Sequence, residues 1–215
     1  MKMLQMIHSM KPTIVKNKLR IFFAVSALLI FNSCYFPGYQ SVAETSLHNI
    51  SFAEGKWFVN YVTIDGKPFT DFSEYSEKEL QNCLQDSLYL SYGKRKAIYN
   101  VPILNSKNLK ESLSLLKATK TIDYVIQITG SIGANEIGNI NIKPMKNAEK
   151  TAASITFKVY EVSTEQLVYS HTTTGQLIVE NNSEDVLFGK SAQNIMKKCL
   201  KKGMKQLKKS GGCEK

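Results

Sequence analysis

Apolar and polar positions alternate along this chain with two different periods, and the changes of period mark out its elements. Residues 47–64 are dense in β-branched and aromatic side chains, with Trp57, Phe58, Val59, Tyr61 and Val62 as their apolar weight, and predict one or two strands. Asp65-Gly66-Lys67-Pro68 then supplies turn chemistry. From Ser76 the period becomes helical. Ser76 and Glu79 have the spacing of a capping box, and Leu80, Cys83, Leu84 and Leu88 share one face, which predicts a helix over about 76–91 that closes near Gly93. Residues 97–104 read as a strand whose Pro102 suits an edge or an irregular end. Asn105 or Ser106 can cap a second helix, with Leu109, Leu113, Leu116 and Ala118 on its apolar side. The run from Ile122 to Gly130 is the strongest central-strand candidate, and residues 133–145, rich in Gly and Asn, read as a loop. Ile155, Phe157 and Val159 alternate with polar positions, as do Leu167, Tyr169 and His171, with Ser163-Thr164-Glu165-Gln166 as a hairpin turn between them. A last helix over about 184–209 carries an apolar stripe of Val186, Leu187, Ile195, Met196, Cys199, Leu200, Met204 and Leu207. The order β-α-β-α-β-β-β-α predicts an α+β fold: one domain over 47–209, a mixed β-sheet with three helices packed on it. Residues 210–215 are expected to form a mobile tail.

Ahead of this domain the pattern is of another kind. Residues 2–20 carry Lys2, Lys11, Lys16, Lys18 and Arg20 and no acid, and Ile21 to Phe31 is an apolar run of eleven. That is the layout of a secretory signal, too short to span a bilayer comfortably. The run ends in Phe31-Asn32-Ser33-Cys34, which resembles the lipobox of bacterial lipoproteins, with Phe31 and Asn32 where that family usually has Leu and a small residue. The resemblance implies a signal peptide over 1–33, a diacylglycerol on the Cys34 thiol and an acylated (palmitate-type) amine. Residues 34–46 would then be the lipidated cysteine and its tether. No Asp follows Cys34, so the expected address is the outer membrane, facing the periplasm.

Charge sharpens the picture. The chain has 28 Lys and Arg against 18 Asp and Glu, a net +10. The excess sits at the two ends: residues 190–209 hold eight Lys and no acid, whereas residues 34–189 hold 14 basic and 17 acidic residues. A nucleic-acid-binding face spread over the domain is not expected. The lysines of the last helix, Lys197, Lys198, Lys201, Lys202, Lys205, Lys208 and Lys209, flank its apolar stripe. They are either a solvated face favoured near a helix C-terminus or a surface for an anionic partner.

Within the domain, Asp123-Tyr124-Val125-Ile126 after a helix, a strand near 155–162, and Ser163-Thr164-Glu165-Gln166-Leu167-Val168-Tyr169-Ser170 resemble a pattern of envelope lipoproteins of the penicillin-binding-protein-activator type. The related TolB amino-terminal and curli-secretion domains share it. Glu165 stands where those families usually have Gly. The resemblance implies the fold, an envelope setting and protein binding, and no catalytic residues.

Other chemistry is sparse. His48 and His171 make no metal-binding pair, and His171 reads as a solvent-facing strand residue. Gly189-Lys190-Ser191 ends like a phosphate loop, but Glu184 occupies the position that needs Gly, and no Gly-x-Ser-x-Gly elbow occurs. The carboxylates Asp71 and Glu74, and Glu184 and Asp185, suit helix starts. Cys83 and Cys199 read as small buried hydrophobes, with Cys199–Cys213 or Cys83–Cys199 pairing open in an oxidising compartment. No enzyme activity, cofactor or metal is expected. The reading is a membrane-anchored lipoprotein that binds another envelope protein; the alternative is a lipid- or small-ligand-binding periplasmic lipoprotein.

Overall fold

The computed structural model describes residues 38–46, 50–92, 98, 101–105, 107–135, 148–180 and 191–213. The signal region 1–33, Cys34, His48, Val186, Leu187 and the pair Glu184 and Asp185 lie outside them. In chain order the elements are β1 (Gly38–Ser46), β2 (Trp57–Val59), β3 (Thr63–Ile64), β4 (Lys67–Pro68), α1 (Thr70–Leu84), a single 3-10 turn (Gln85–Ser87) and β5 (Leu88–Leu90). There follow α2 (Leu109–Thr119), β6 (Tyr124–Asn135), β7 (Ala148–Glu161), β8 (Gln166–Glu180) and α3 (Ala192–Ser210). The strands form one mixed sheet in the order β1-β8-β7-β6-β2-β5, with β3 pairing β6 and β4. β6 lies parallel to β2 and β3 and antiparallel to β7, while β7–β8 and β8–β1 are antiparallel. This is the α+β class read from the pattern, with β6 central as expected.

The sheet buries both faces near β6, each under different helices. Alternation along β6 and β7 sends Ile126, Ile128, Ile155, Phe157 and Val159 to one side and Val125 and Tyr160 to the other. The first side meets the buried stripe of α3, where Ile195, Met196, Cys199, Leu200, Met204 and Leu207 are all at most 1% exposed. α1 runs beside α3. On the second side Phe58, Val125, Tyr160 and Val162 pack with Leu104 and with Leu113 and Leu116 of α2. Ala118, placed on the apolar face by spacing alone, is exposed. Trp57 is fully buried, stacked on Tyr124 at 4.5 Å and edge-on to Phe52 at 4.9 Å, with its indole N–H donating to the Glu54 carbonyl at 2.9 Å.

Several expectations shift. α1 begins six residues before Ser76, which is buried mid-helix, so Ser76 and Glu79 form no capping box. The cause is Ser73: its hydroxyl accepts from the Val62 N–H and donates to the Phe69 carbonyl, both at 2.9 Å, and so ties the first turn to the preceding hairpin. That hairpin joins β3 and β4 through Asp65 (φ 48°) and Gly66 (φ 78°), the two-residue turn in which positive φ suits the strand twist. The helix stops at Leu84, and Leu88 belongs to β5 rather than to its face. The strand expected over 97–104 is absent among its described residues. There the chain is held by side chains instead: Asn60 donates to the Pro102 carbonyl at 2.9 Å, and Gln127 to the Leu104 carbonyl at 3.1 Å. Pro102 has no N–H to give a ladder. Gly133 to Asn135, expected in a loop, belong to β6, which runs on past a register shift at Ile132/Ala134; residues 136–145 lie outside the described residues. Helix α3 starts at Ala192, capped by Ser191, whose hydroxyl accepts from the Asn194 N–H at 3.4 Å. Ser191 thus serves as a helix cap, while Gly189 and Lys190 lie outside the described residues.

Candidate functional site

The site that the structure assembles from the predicted residues is the outer face of α3. The exposed residues of α3 are Lys197, Lys198, Lys201, Lys202, Lys205 and Lys209, together with Gln193, Asn194 and Gln206. A helix with a half-buried apolar stripe has only one remaining face, and here six of that face's nine exposed residues are lysines. Lys208 departs from the set. It is only 15% exposed and pairs with Glu79 of α1 at 2.9 Å, so it belongs to the α1–α3 seam.

Two neighbours bound the lysine face. On one flank lies α1: Asp71, Phe72 and Tyr75 share a groove of about 340 Å³ with Asn194, Lys197 and Lys201. On the other flank lies β1. The Tyr39 ring sits beneath the ammonium groups of Lys202, at 4.6 Å from the ring centroid, and of Lys198, at 5.8 Å, within cation–π range. Burial raises the Tyr39 phenol pKa, with the nearby Cys199 thiol adding to it. Gly175 of β8 makes this approach possible, because a Cβ there would stand 2.5 Å from Ile195 and 2.7 Å from the Tyr39 ring.

Beneath the helix lies a buried polar seam. His171 is 2% exposed, its Nε2 is 3.2 Å from the Thr173 hydroxyl, and that hydroxyl is 3.3 Å from Ser41 of β1. The solvent-facing reading of His171 is therefore wrong. Residue 171 falls on the side of β8 that α3 covers, and a period-2 pattern cannot tell which side that is. Cys199 is free and buried, and desolvation pushes its thiol up to about 11 despite the opposing pull of Lys202.

The cysteines pair otherwise than spacing suggested. Cys83 near the end of α1 is bonded to Cys213 just past α3, with Cα atoms 5.6 Å apart. The segment expected as a mobile tail is held as far as Cys213. The Phe52 N–H donates to the Gly211 carbonyl at 2.9 Å, and the Cys213 N–H to the Lys208 carbonyl at 2.9 Å. The tether also shortens, because residues 38–46 of it form the edge strand β1. Tyr39, Asp71 and Glu79 escaped the sequence reading as parts of the site. Tyr39 lay in a segment without a clear period, and the α1 acids had no visible tie to a helix more than a hundred residues away. Among the described residues no group of three or more His, Cys, Asp or Glu is placed to hold a metal, and no helix is long and apolar enough to cross a membrane.

No protein-family model matches the chain, and no curated protein does. Among solved structures, a PelC dodecamer subunit from Paraburkholderia phytofirmans aligns at 14% identity over 69% of this chain and 85% of its own, with a TM-score of 0.33. The lipoprotein GNA1162 from Neisseria meningitidis aligns at 8% identity over 72% of this chain and 99% of its own, with a TM-score of 0.35. The hypothetical protein CT253 from Chlamydia trachomatis gives 11% identity over 70% and 96%, at 0.35. Similarities of this size carry no inference about this chain's activity.

Proposed function

We propose that the protein is a bacterial envelope lipoprotein, anchored through Cys34 to the periplasmic side of the outer membrane, whose folded domain binds another envelope protein without catalysing a reaction. The observation that carries this reading is the Cys83–Cys213 disulfide. Such bonds persist in oxidising compartments such as the periplasm, which agrees with the export leader ahead of Cys34.

The binding role draws on the sheet. Beyond the start of β6 and the end of β7, which α2 covers, the part of the sheet built from β6, β7, β8 and β1 carries only α3 among the described residues, and on one side. The other side presents Ser131, Ser154, Thr156, Thr172, Thr174 and Gln176, all at least partly open to solvent. Pairs such as Ser131–Ser154 at 3.0 Å and Thr156–Thr172 at 2.9 Å knit this surface together. β1 ends the described sheet, with Val42 57% exposed. An open polar sheet face beside an edge strand suits protein docking.

In-cell crosslinking of the tagged, lipidated protein, followed by mass spectrometry, tests the reading. A stoichiometric envelope protein, lost when residues 47–209 are deleted with the anchor kept, is the expected result. Retained lipid or small molecule with no protein partner would overturn it. Cys34→Ser should release the protein or leave it unprocessed; a variant of mature mass that stays in the membrane would end the anchor assignment.

A further inference from the structure

We infer that the lysine face of α3 docks on an anionic phospholipid surface, the same leaflet that takes the acyl chains of Cys34. This rests on the reading of Cys34 as the lipid-bearing residue. Its first support is covalent reach. Only residues 35–37 separate Cys34 from the start of β1, so Gly38 stays within about 14 Å of the anchor even with the chain fully extended. The next residue, Tyr39, already lies under Lys198 and Lys202. The strand that leaves the anchor therefore runs directly into the lysine face, and not to the α2 side of the sheet.

The second support is the composition of that face. Lys197 and Lys201, Lys201 and Lys205, Lys205 and Lys209, and Lys198 and Lys202 are like-charged pairs at i,i+4 spacing, which weaken an isolated helix. The sequence keeps them without one acid on α3. Glu79 answers Lys208, and Asp71 reaches only the groove beside Lys197 and Lys201. Among the described residues, the positive charge of Lys197, Lys201, Lys202, Lys205 and Lys209 exceeds what Asp71 balances, and an anionic leaflet supplies the difference. Each lysine near such a surface strengthens association roughly fivefold, and the effect fades within about 10 Å at 0.1 M salt. That is the distance scale the short tether sets. Docked this way, the protein would hold its open Ser/Thr sheet face away from the bilayer.

The test uses the full lipidated protein on vesicles of neutral phosphatidylcholine, or of phosphatidylcholine with about a third phosphatidylglycerol, whose anionic headgroups give the surface a negative potential. An amine-reactive ester labels the lysines, and peptide mass spectrometry reads each rate. Expected is a drop of about tenfold at Lys197, Lys201, Lys202 and Lys205 on anionic vesicles only, reversed by high salt. Exposed Lys110 of α2, on the far side of the sheet, should label equally throughout. Equal labelling of the α3 lysines on both vesicle types, with acyl chains found on Cys34, overturns the docking face alone and leaves an acidic macromolecule as its counterpart. A Cys34 without acyl chains overturns both the docking and the anchor.

Discussion

Gly203 shows how one missing side chain sets the distance between α3 and the sheet. A Cβ there would stand 2.2 Å from the Phe157 ring, so the ring packs directly against the helix backbone. Alanine would raise helix propensity by about 1 kcal/mol, but overpacking a filled core typically costs about 1–3 kcal/mol. The clash should win: Gly203→Ala is expected to lower the urea midpoint with an unchanged m-value, and a rise would mean that Phe157 yields at no cost. Cys199, one turn earlier, makes a separate prediction about pH. Its thiol is raised from 9.0 to about 11, chiefly by desolvation. A group raised on folding stabilises fully below its unfolded value, and that contribution is lost as pH climbs through its folded value. Stability should therefore fall between pH 9 and 11 by on the order of 2 kcal/mol more in the native protein than in Cys199→Ala. Parallel pH profiles for the two would sink the idea. In the native fold the thiol should also ignore maleimide, since the protonated, buried form is inert.

Among the elements, the sequence announced those whose apolar pattern has one period and one partner. β6, the β7–β8 hairpin and α3 are where alternation and the Ile195–Leu207 stripe put them. The Val162–Glu165 turn closes with Glu165 at φ 57°, the left-handed conformation that a Gly would adopt freely. What stayed hidden depends on partners distant in sequence. β1 has no pattern of its own and becomes a strand because β8 pairs it from Gly38 to Ser46. Residues 101–104 lose their expected strand, and Asn60 and Gln127 capture the Pro102 and Leu104 carbonyls instead. Of the candidate site, the lysines were legible in the sequence, while their limits at Tyr39 and Glu79 were not, because helical spacing gives a face and says nothing of what lies beside it. Asn60 offers the test at this scale. It is 1% exposed, donates to the Pro102 carbonyl, and accepts from the Tyr61 N–H at 2.7 Å and the Ser91 hydroxyl at 3.3 Å. Asn60→Ala leaves those groups without it, and such losses cost about 1–3 kcal/mol each. Faster amide exchange at Tyr61 and Leu104, ahead of the rest of the sheet, is expected; uniform acceleration would mean that Asn60 supports the whole fold rather than this segment.

For the whole molecule, the Cys83–Cys213 bond decides how the ends of the fold are held. It closes a loop of sequence separation 130 and joins the end of α1 to the residues after α3, beside the Lys208–Glu79 pair. In the chain-entropy account a loop of that length restricts the unfolded chain by about 5 kcal/mol, and the loss measured on removing a native bond is typically about 2–5 kcal/mol. The ion pair contributes less, about 1 kcal/mol or under at its partial exposure. Cys83→Ala, Cys213→Ala and the double variant should therefore lose the same amount, because each removes one shared bond and the losses cannot add. At about 2–4 °C per kcal/mol for a chain of this size, the melting temperature should fall by roughly 5–15 °C. The m-value separates the causes. If the bond acts by confining the unfolded chain, its removal lets that chain expand and m rises. If it acts by holding α1 against α3 in the native state, m stays put while amide protection drops at Phe52 and Gly211. An unchanged melting temperature in all three variants would show that the bond contributes nothing to the stability of the fold.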